Sequence, residues 1–238
     1  YDYETLHQAG LEGVAGALAI APPLSRLHEL QQLNARVPVV VVGAATALWG
    51  IDSVACDNET PMSESVQRLA QLGHRRIVGL FADLDALDTQ ERLQAFCRAA
   101  SEARLDAWYT LCAYDTFQLE PTLQQQLLNL LRLPRDQRPT AVVAGGFYMA
   151  MGALQAAHVL GLRVPEDLSV IGFDDPPAAA LTAPPLNTYR QPLQAMGKSA
   201  AQHLLRLIQF GRASEPLLQR MPTPYIERCT VAPIIIMR

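Results

Sequence analysis

From Val14 to about position 210 the chain alternates short, unbroken apolar runs with longer amphipathic stretches. That pattern restricts it to βα units feeding a mainly parallel sheet. The runs are Val14 to Ala21, Val37 to Val42, Ser53 to Cys56, Arg76 to Phe81, Trp108 to Ala113, Ala141 to Ala144 and Leu168 to Phe173. Most are continuous instead of alternating, as expected of strands covered by helices on both faces. Helices are expected between them at Leu24 to Ala35, Pro61 to Leu72, Thr89 to Ala103, Leu119 to Leu131, Phe147 to Leu160 and Pro192 to Phe210, with Gly73 and Gly161 at two of their C-terminal caps. After Gly211 the helical period disappears and β-branched residues and prolines take over, which predicts terminal strands at a sheet edge. A helix-like stretch, Tyr3 to Leu11, precedes the first strand, so the chain is expected to begin inside a domain.

Composition narrows the function classes. Among 238 residues, 19 Lys and Arg face 23 Asp and Glu, a formal charge of −4. The basic excess of a surface that grips phosphate backbones is missing. Cys56, Cys97, Cys112 and Cys229 form no CxxC pair and have no His at ligand spacing, so four reduced, mostly buried thiols and no metal site are expected. No apolar run is long enough to span a bilayer and no leader-like N-terminus is visible, which predicts a cytoplasmic protein without membrane contact.

Enzyme signatures fail one by one. Gly10, Gly13 and Gly16 precede a strand instead of following one, so they are no dinucleotide fingerprint. Neither G-x-x-x-x-G-K-[ST], G-x-S-x-G nor H-E-x-x-H occurs. The five histidines are scattered without a partner at ligand or base spacing, and His74, between a helix end and a strand, is expected to tie that turn together.

Two places favour binding. Asp174 and Asp175 follow the strand ending at Phe173, at the carboxyl edge where open α/β sheets hold ligands, although capping the turn before Pro176 and Pro177 is the competing role. Arg92 lies one turn into the helix after the Phe81 strand, where its guanidinium could close on a polar ligand; alone it would be an ordinary surface arginine.

Several segments taken together carry an identity. They are Asn58, Leu72-Gly-His-Arg-Arg-Ile77, Glu91-Arg-Leu-Gln-Ala-Phe96, Arg163 to Asp175, Pro184-Pro-Leu-Asn-Thr-Tyr-Arg-Gln-Pro192, Met196-Gly197 and Glu227-Arg-Cys-Thr230. In order and spacing they resemble the effector-binding core of the lactose-repressor/galactose-repressor (LacI/GalR) family of transcription factors. The resemblance implies an α/β, periplasmic-binding-protein-like fold: two Rossmann-like lobes with mainly parallel sheets, joined by three crossover strands, and a ligand in the cleft. The expected lobes are 1–83 plus 189–213 and 84–188 plus 214–238, with crossings near Ala82 to Asp85, Thr188 to Gln191 and Gly211 to Pro216. The family's helix-turn-helix headpiece and the first strand, helix and strand of the near lobe are not in this chain, so it is read as truncated.

Carried over residue by residue, the resemblance makes Arg92, Asp174 and Gln191 ligand-binding residues. Cys56 is placed on the cleft lining, and Tyr114 or Phe117 on an aromatic wall. Gly146 and Phe147 stand where the family usually has an Asn-Asp pair, and Gly43 where an aspartate is frequent. Losing those polar groups is expected to change which ligand is accepted. The implied partners are a small-molecule effector (a sugar, sugar derivative or related metabolite), operator DNA through the headpiece, and a second copy in a homodimer, with a tetramer as an option. Met151 and Thr182 are the dimer-interface candidates, although the face of Phe147, Met151 and Leu154 fits core packing equally well. No cofactor is implied. A periplasmic solute-binding protein of a transporter is the alternative reading, and an α/β enzyme has only fold-level analogy behind it.

Overall fold

Strand and helix segments occur in the order the apolar pattern predicts. The computed structural model describes residues 13–82, 85–112 and 121–234, with the backbone alone at 112 and 121–123. The expected helix at Tyr3 to Leu11, and with it His7, lies outside the described residues. The elements form two compact units. The smaller contains residues up to Ala55 and Leu193–Met221, and the larger Cys56–Pro192 and the residues from Pro222 on.

In the smaller unit β1 (Ala17–Ile20), β2 (Val39–Val42) and β3 (Asp52–Cys56) pair in parallel, and β9 (Leu218–Met221) extends the sheet beside β3. Helix α1 (Leu27–Arg36), entered through a 3-10 turn at Leu24–Arg26, and α6 (Leu193–Phe210) pack on this sheet. Val39, Val40, Val41, Ile51 and Val54 are fully buried, which is why β2 reads as four consecutive valines. Asn34 locks the end of α1 to its surroundings: its Oδ1 accepts from the Val39 N–H (3.0 Å) and its Nδ2 donates to the Gly50 carbonyl (3.1 Å).

In the larger unit β4 (Arg76–Ala82), β5 (Asp106–Cys112), β6 (Ala141–Ala144) and β7 (Ser169–Ile171) form a parallel sheet in the order β5-β4-β6-β7. Its helices are α2 (Glu59–Gln71), α3 (Leu87–Glu102), α4 (Pro121–Leu131) and α5 (Phe147–Val159). A short antiparallel pair, β8 (Thr188–Tyr189) with β10 (Tyr225–Ile226), completes it.

The chain changes unit at 55/56, 192/193 and 221/222; the second lies beside the expected crossing at Thr188 to Gln191, while the first falls well before its expected place and the third somewhat after. Hydrogen-bond ladders explain each shift. Strand β4 is the centre of the second sheet, between β5 and β6, and α2 packs on α3, so both belong to the larger unit. Residue 189 belongs to β8, whose partner is β10, and 190–192 follow it, while β9 extends the first sheet and takes 214–221 with it. The cysteine expectation also needs correction: Cys56 is buried, but Cys97 and Cys229 are exposed. Histidine partners were invisible in sequence for a similar reason. His203 Nε2 lies 3.1 Å from Asp52 Oδ1, across 151 positions, because α6 folds back onto the sheet of the smaller unit.

Two packing details can be checked directly. An added Cβ at Gly79 would lie 2.5 Å from the Phe81 ring and 3.0 Å from the Phe96 ring, whose edge-to-face contact has its centroids 5.5 Å apart. Gly79→Ala is therefore expected to destabilise the chain by about 1 to 3 kcal/mol, read by denaturant unfolding; an unchanged midpoint would refute the packing assignment. His74 is buried between Thr140 Oγ1 (3.0 Å, on Nδ1) and the Ala232 carbonyl (3.1 Å, on Nε2). Since a carbonyl only accepts, Nε2 carries the proton and Nδ1 accepts from Thr140. Burial holds the imidazole pKa below its ordinary value of 6.5, against the pull of the Ala232 carbonyl. The unfolded chain thus binds the proton more readily, so stability is expected to fall as pH drops through about 6.5. Melting curves between pH 8 and 5.5 should show that slope, and His74→Gln should flatten it; parallel slopes would contradict the reading.

Candidate functional site

Four loops meet at the carboxyl edge of the larger unit: the segment after β3, the start of α3, the β6–α5 turn, and the turn after β7. What draws them together is one guanidinium. Arg92, on the inner face of α3, has only 7% of its side chain exposed. Its Nε donates to Asn58 Oδ1 (2.9 Å), Nη1 to the Gly145 carbonyl (2.8 Å) and Nη2 to Asp88 Oδ2 (2.7 Å). Beneath it the Phe173 ring centroid lies 4.0 Å from the guanidinium carbon. A charge removed from water must be paired and hydrogen-bonded, and this one is held by three elements besides its own helix.

The network continues outward. Fully buried Asn58 donates through Nδ2 to Glu91 Oε2 (2.8 Å). The Cys56 thiol points at Asn58 Oδ1 (3.5 Å) and Gln191 Oε1 (3.3 Å), and Gln191 Nε2 donates to Asp174 Oδ1 (2.5 Å). Asp174 sits at φ 71, in the left-handed region that Asp tolerates better than most side chains, and its carbonyl accepts from Thr188 Oγ1 (2.7 Å). Its carboxylate is thereby fixed half-exposed at the edge of the sheet.

Of the residues singled out in the sequence, the structure gathers Arg92, Asp174, Gln191, Cys56 and Gly146 into this one cluster. Gly146 begins α5 without a side-chain cap, and an added Cβ there would come no closer than 3.6 Å to Met149 and 3.9 Å to Asp174 Oδ2. Cys56 is fully buried, and burial pushes its thiol pKa up against the opposing Arg92 charge. It is a weak internal donor, not a wall facing a ligand and not a nucleophile. Phe147 packs against the core beneath α5 and against Tyr148, with ring centroids 5.4 Å apart. Tyr114 and Phe117 lie outside the described residues.

Asp175 takes neither of the roles expected of it. Only 2% of its side chain is exposed, and it is clamped by Arg190 (2.6 Å) and Arg228 (2.7 Å). Burial alone would raise its pKa, but the hydrogen bonds from Arg228 and Arg190 outweigh it and hold the carboxyl below its ordinary range. The Glu227-Arg-Cys-Thr segment therefore serves to fasten the chain's last described stretch. Thr230 Oγ1 donates to the Val170 carbonyl (2.6 Å), and the Thr230 N–H to Asn187 Oδ1 (2.6 Å).

Sequence reasoning missed Asp88 and the Gly145 carbonyl. The i,i+4 spacing of Asp88 and Arg92 was the available signal for the first. A backbone acceptor 53 positions away leaves none. Among the described residues no group of three or more His, Cys, Asp or Glu side chains is placed to hold a metal, and no helix is long and apolar enough to cross a membrane.

Comparison with known proteins agrees with this architecture. The periplasmic binding protein-like domain model matches residues 66–231, more than half of the chain. The HTH-type transcriptional regulator reg1 of Streptomyces lividans is 34% identical over 206 residues, covering 82% of this chain and 58% of that protein. A LacI transcriptional regulator from a Rhodococcus species superposes with a TM-score of 0.82 at 26% identity, covering 98% of this chain and 82% of the other. The transcriptional regulator CelR in complex with cellobiose gives a TM-score of 0.77 at 28% identity, covering 96% and 69%. The chain thus spans about three fifths of the length of the curated relatives it matches, 58% and 64% in two of them. It belongs to the periplasmic binding protein-like domain family, as an effector-binding core of the LacI/GalR type.

Proposed function

We propose that this chain is the ligand-sensing part of a DNA-binding transcriptional regulator, and that its effector is a neutral, hydroxyl-rich small molecule of the sugar class. The observation carrying the ligand class is the charge balance of the cluster. The cluster holds one guanidinium and three carboxyl side chains: Asp88 occupies Nη2 of Arg92, Glu91 accepts from Asn58, and Asp174 accepts from Gln191. Half-exposed acceptors at Asp88 and Asp174, beside the Gln191 amide, suit hydroxyl donors; a carboxylate ligand would meet uncompensated like charge. Gly146 leaves space where a polar side chain would restrict the ligand.

The regulatory role rests on kinship. The relatives are helix-turn-helix-type regulators, and one solved neighbour is a cellobiose complex. In this reading effector binding and operator binding by the whole protein are coupled reciprocally by about 1 to 3 kcal/mol, a 5- to 150-fold change in DNA affinity. No catalytic step is part of it, and a cytoplasmic location follows from contact with DNA. The protein acts as a homodimer, with Met151 and Thr182 near the contact. In support, Tyr148 (51% exposed) and Leu181 (83%) present large apolar side chains beside them. Sedimentation of the chain should give a dimer weakened by Leu181→Lys; a monomer at every concentration would exclude it.

Calorimetry against neutral saccharides, cellobiose included, and against matched sugar acids tests the ligand class. Neutral compounds are expected to bind and acids to fail; the reverse order would reject the assignment. Asp174→Asn keeps the left-handed backbone and removes the charge, so it is expected to weaken binding about 10- to 150-fold, the worth of a hydrogen bond to a charged group. Arg92→Ala is expected to cost about 3 kcal/mol of stability or more, because it strands Asn58, Asp88 and the Gly145 carbonyl. An Arg92→Ala chain with wild-type melting would show that the guanidinium does not hold the loops.

A further inference from the structure

The larger unit has a concavity lined by charged and apolar residues at the opposite, amino edge of the same sheet. There Arg76 begins β4 and Thr140 precedes β6. The cavity has a volume of about 380 Å³, within the range of small-molecule sites. His74 forms part of its wall, and the turn at Pro165–Asp167 and the chain at Ala232–Ile234 close the sides. Its cations are Arg76, Arg135 and Arg138; its anions are Asp136, Glu166 and Asp167.

The anions answer the cations only in part: Arg138 lies near enough to Asp167 to help hold its carboxyl below the ordinary range, but it is not the residue that hydrogen-bonds it. Both Asp167 carboxylate oxygens are taken by Arg163, at 2.8 and 3.3 Å. Arg76 spends its Nε and Nη2 on the carbonyls of Arg138 (3.1 Å) and Arg135 (3.3 Å), which shapes the 135–138 loop without neutralising the charge. Arg138 has a buried Nε with no acceptor among the described residues. A guanidinium with an unanswered Nε and an open fork is matched by an oxyanion, which takes Nε and Nη together.

We propose that this cavity is a binding site for a small polyanion carrying phosphate or clustered carboxylate groups, with Arg138 as the bidentate anchor and Arg76 as the second cation. It is separate from the effector cluster: β4 runs from Arg76 at this edge to Ala82 at the other, a span of roughly 20 Å. The chemistry also differs, since the cluster around Arg92 disfavours anions. The site does not depend on the effector reading above.

Titration calorimetry of the full chain with pyrophosphate and with citrate, at ionic strength matched by sodium chloride, tests the proposal and separates the two ligand sources. At least one is expected to bind saturably at one per chain, with the His74 and Thr140 resonances shifting in the wild-type spectrum. Arg138→Gln should weaken that binding at least tenfold; should that variant not fold, Arg138→Lys, which keeps the charge and loses the fork, should give a smaller loss. Asp174→Asn should leave it intact. Heats that fail to saturate, an equal effect of chloride, wild-type affinity in the Arg138 variants, or loss of binding in Asp174→Asn would each overturn the assignment.

Discussion

A guanidinium cannot be taken out of water without acceptors, and the carboxyl edge of the larger unit is organised around meeting that demand for Arg92. Three of its four acceptor and stacking partners arrive from separate loops: Asn58 from the segment after β3, the Gly145 carbonyl from the β6–α5 turn, and the Phe173 ring from the end of β7. Asp88 comes from the first turn of its own helix. Each partner is short-ranged, so the loops must converge to within hydrogen-bond distance or leave a charge buried and unpaired.

The order so imposed extends beyond the polar atoms. Phe173, under Arg92, stacks on Tyr189 (6.5 Å between centroids), Tyr189 meets Tyr225 (5.0 Å), and Arg68 of α2 lies 4.2 Å over the Tyr225 ring. Two guanidinium groups thus bracket three rings, linking the site to the β8–β10 pair and to α2. Beside this ladder, Asp175 with its two arginines anchors the 186–190 and 228 segments. Asp174 makes no ion pair among the described residues: Arg190 and Arg228 are taken by its neighbour, and its Oδ1 accepts from the Gln191 amide. Two adjacent aspartates therefore divide into a fastening residue and a presenting one.

The order of strands and helices was legible because their period is local. Continuous apolar runs marked parallel strands, and each of the seven runs from Val14 to Phe173 overlaps one, although β1 leaves Leu18 and Ile20 exposed. Pairing is not local. Nothing in the β4 run announced that its neighbours would be β5 and β6, so the unit boundaries were displaced by nearly thirty residues at the first crossing and by fewer at the others. Within the site, Arg92, Asp174 and Gln191 were recognised by position in a motif. The burial expected of Cys56 holds, but its partners were not legible, since Asn58 and Gln191 meet its thiol from 2 and 135 positions away. The resemblance located residues; the hydrogen-bond partners decided which of them present atoms outward.

The central claim is that the Arg92-centred cluster receives a neutral, hydroxyl-rich effector. Hydrogen–deuterium exchange of the chain with and without a saturating neutral saccharide selected by calorimetry tests it most directly. Protection should rise in the peptides containing residues 56–58, 87–92, 172–174 and 191, while the amino edge of the same sheet keeps its exchange rate. Protection confined to other segments, with those four unchanged at saturation, would contradict the account.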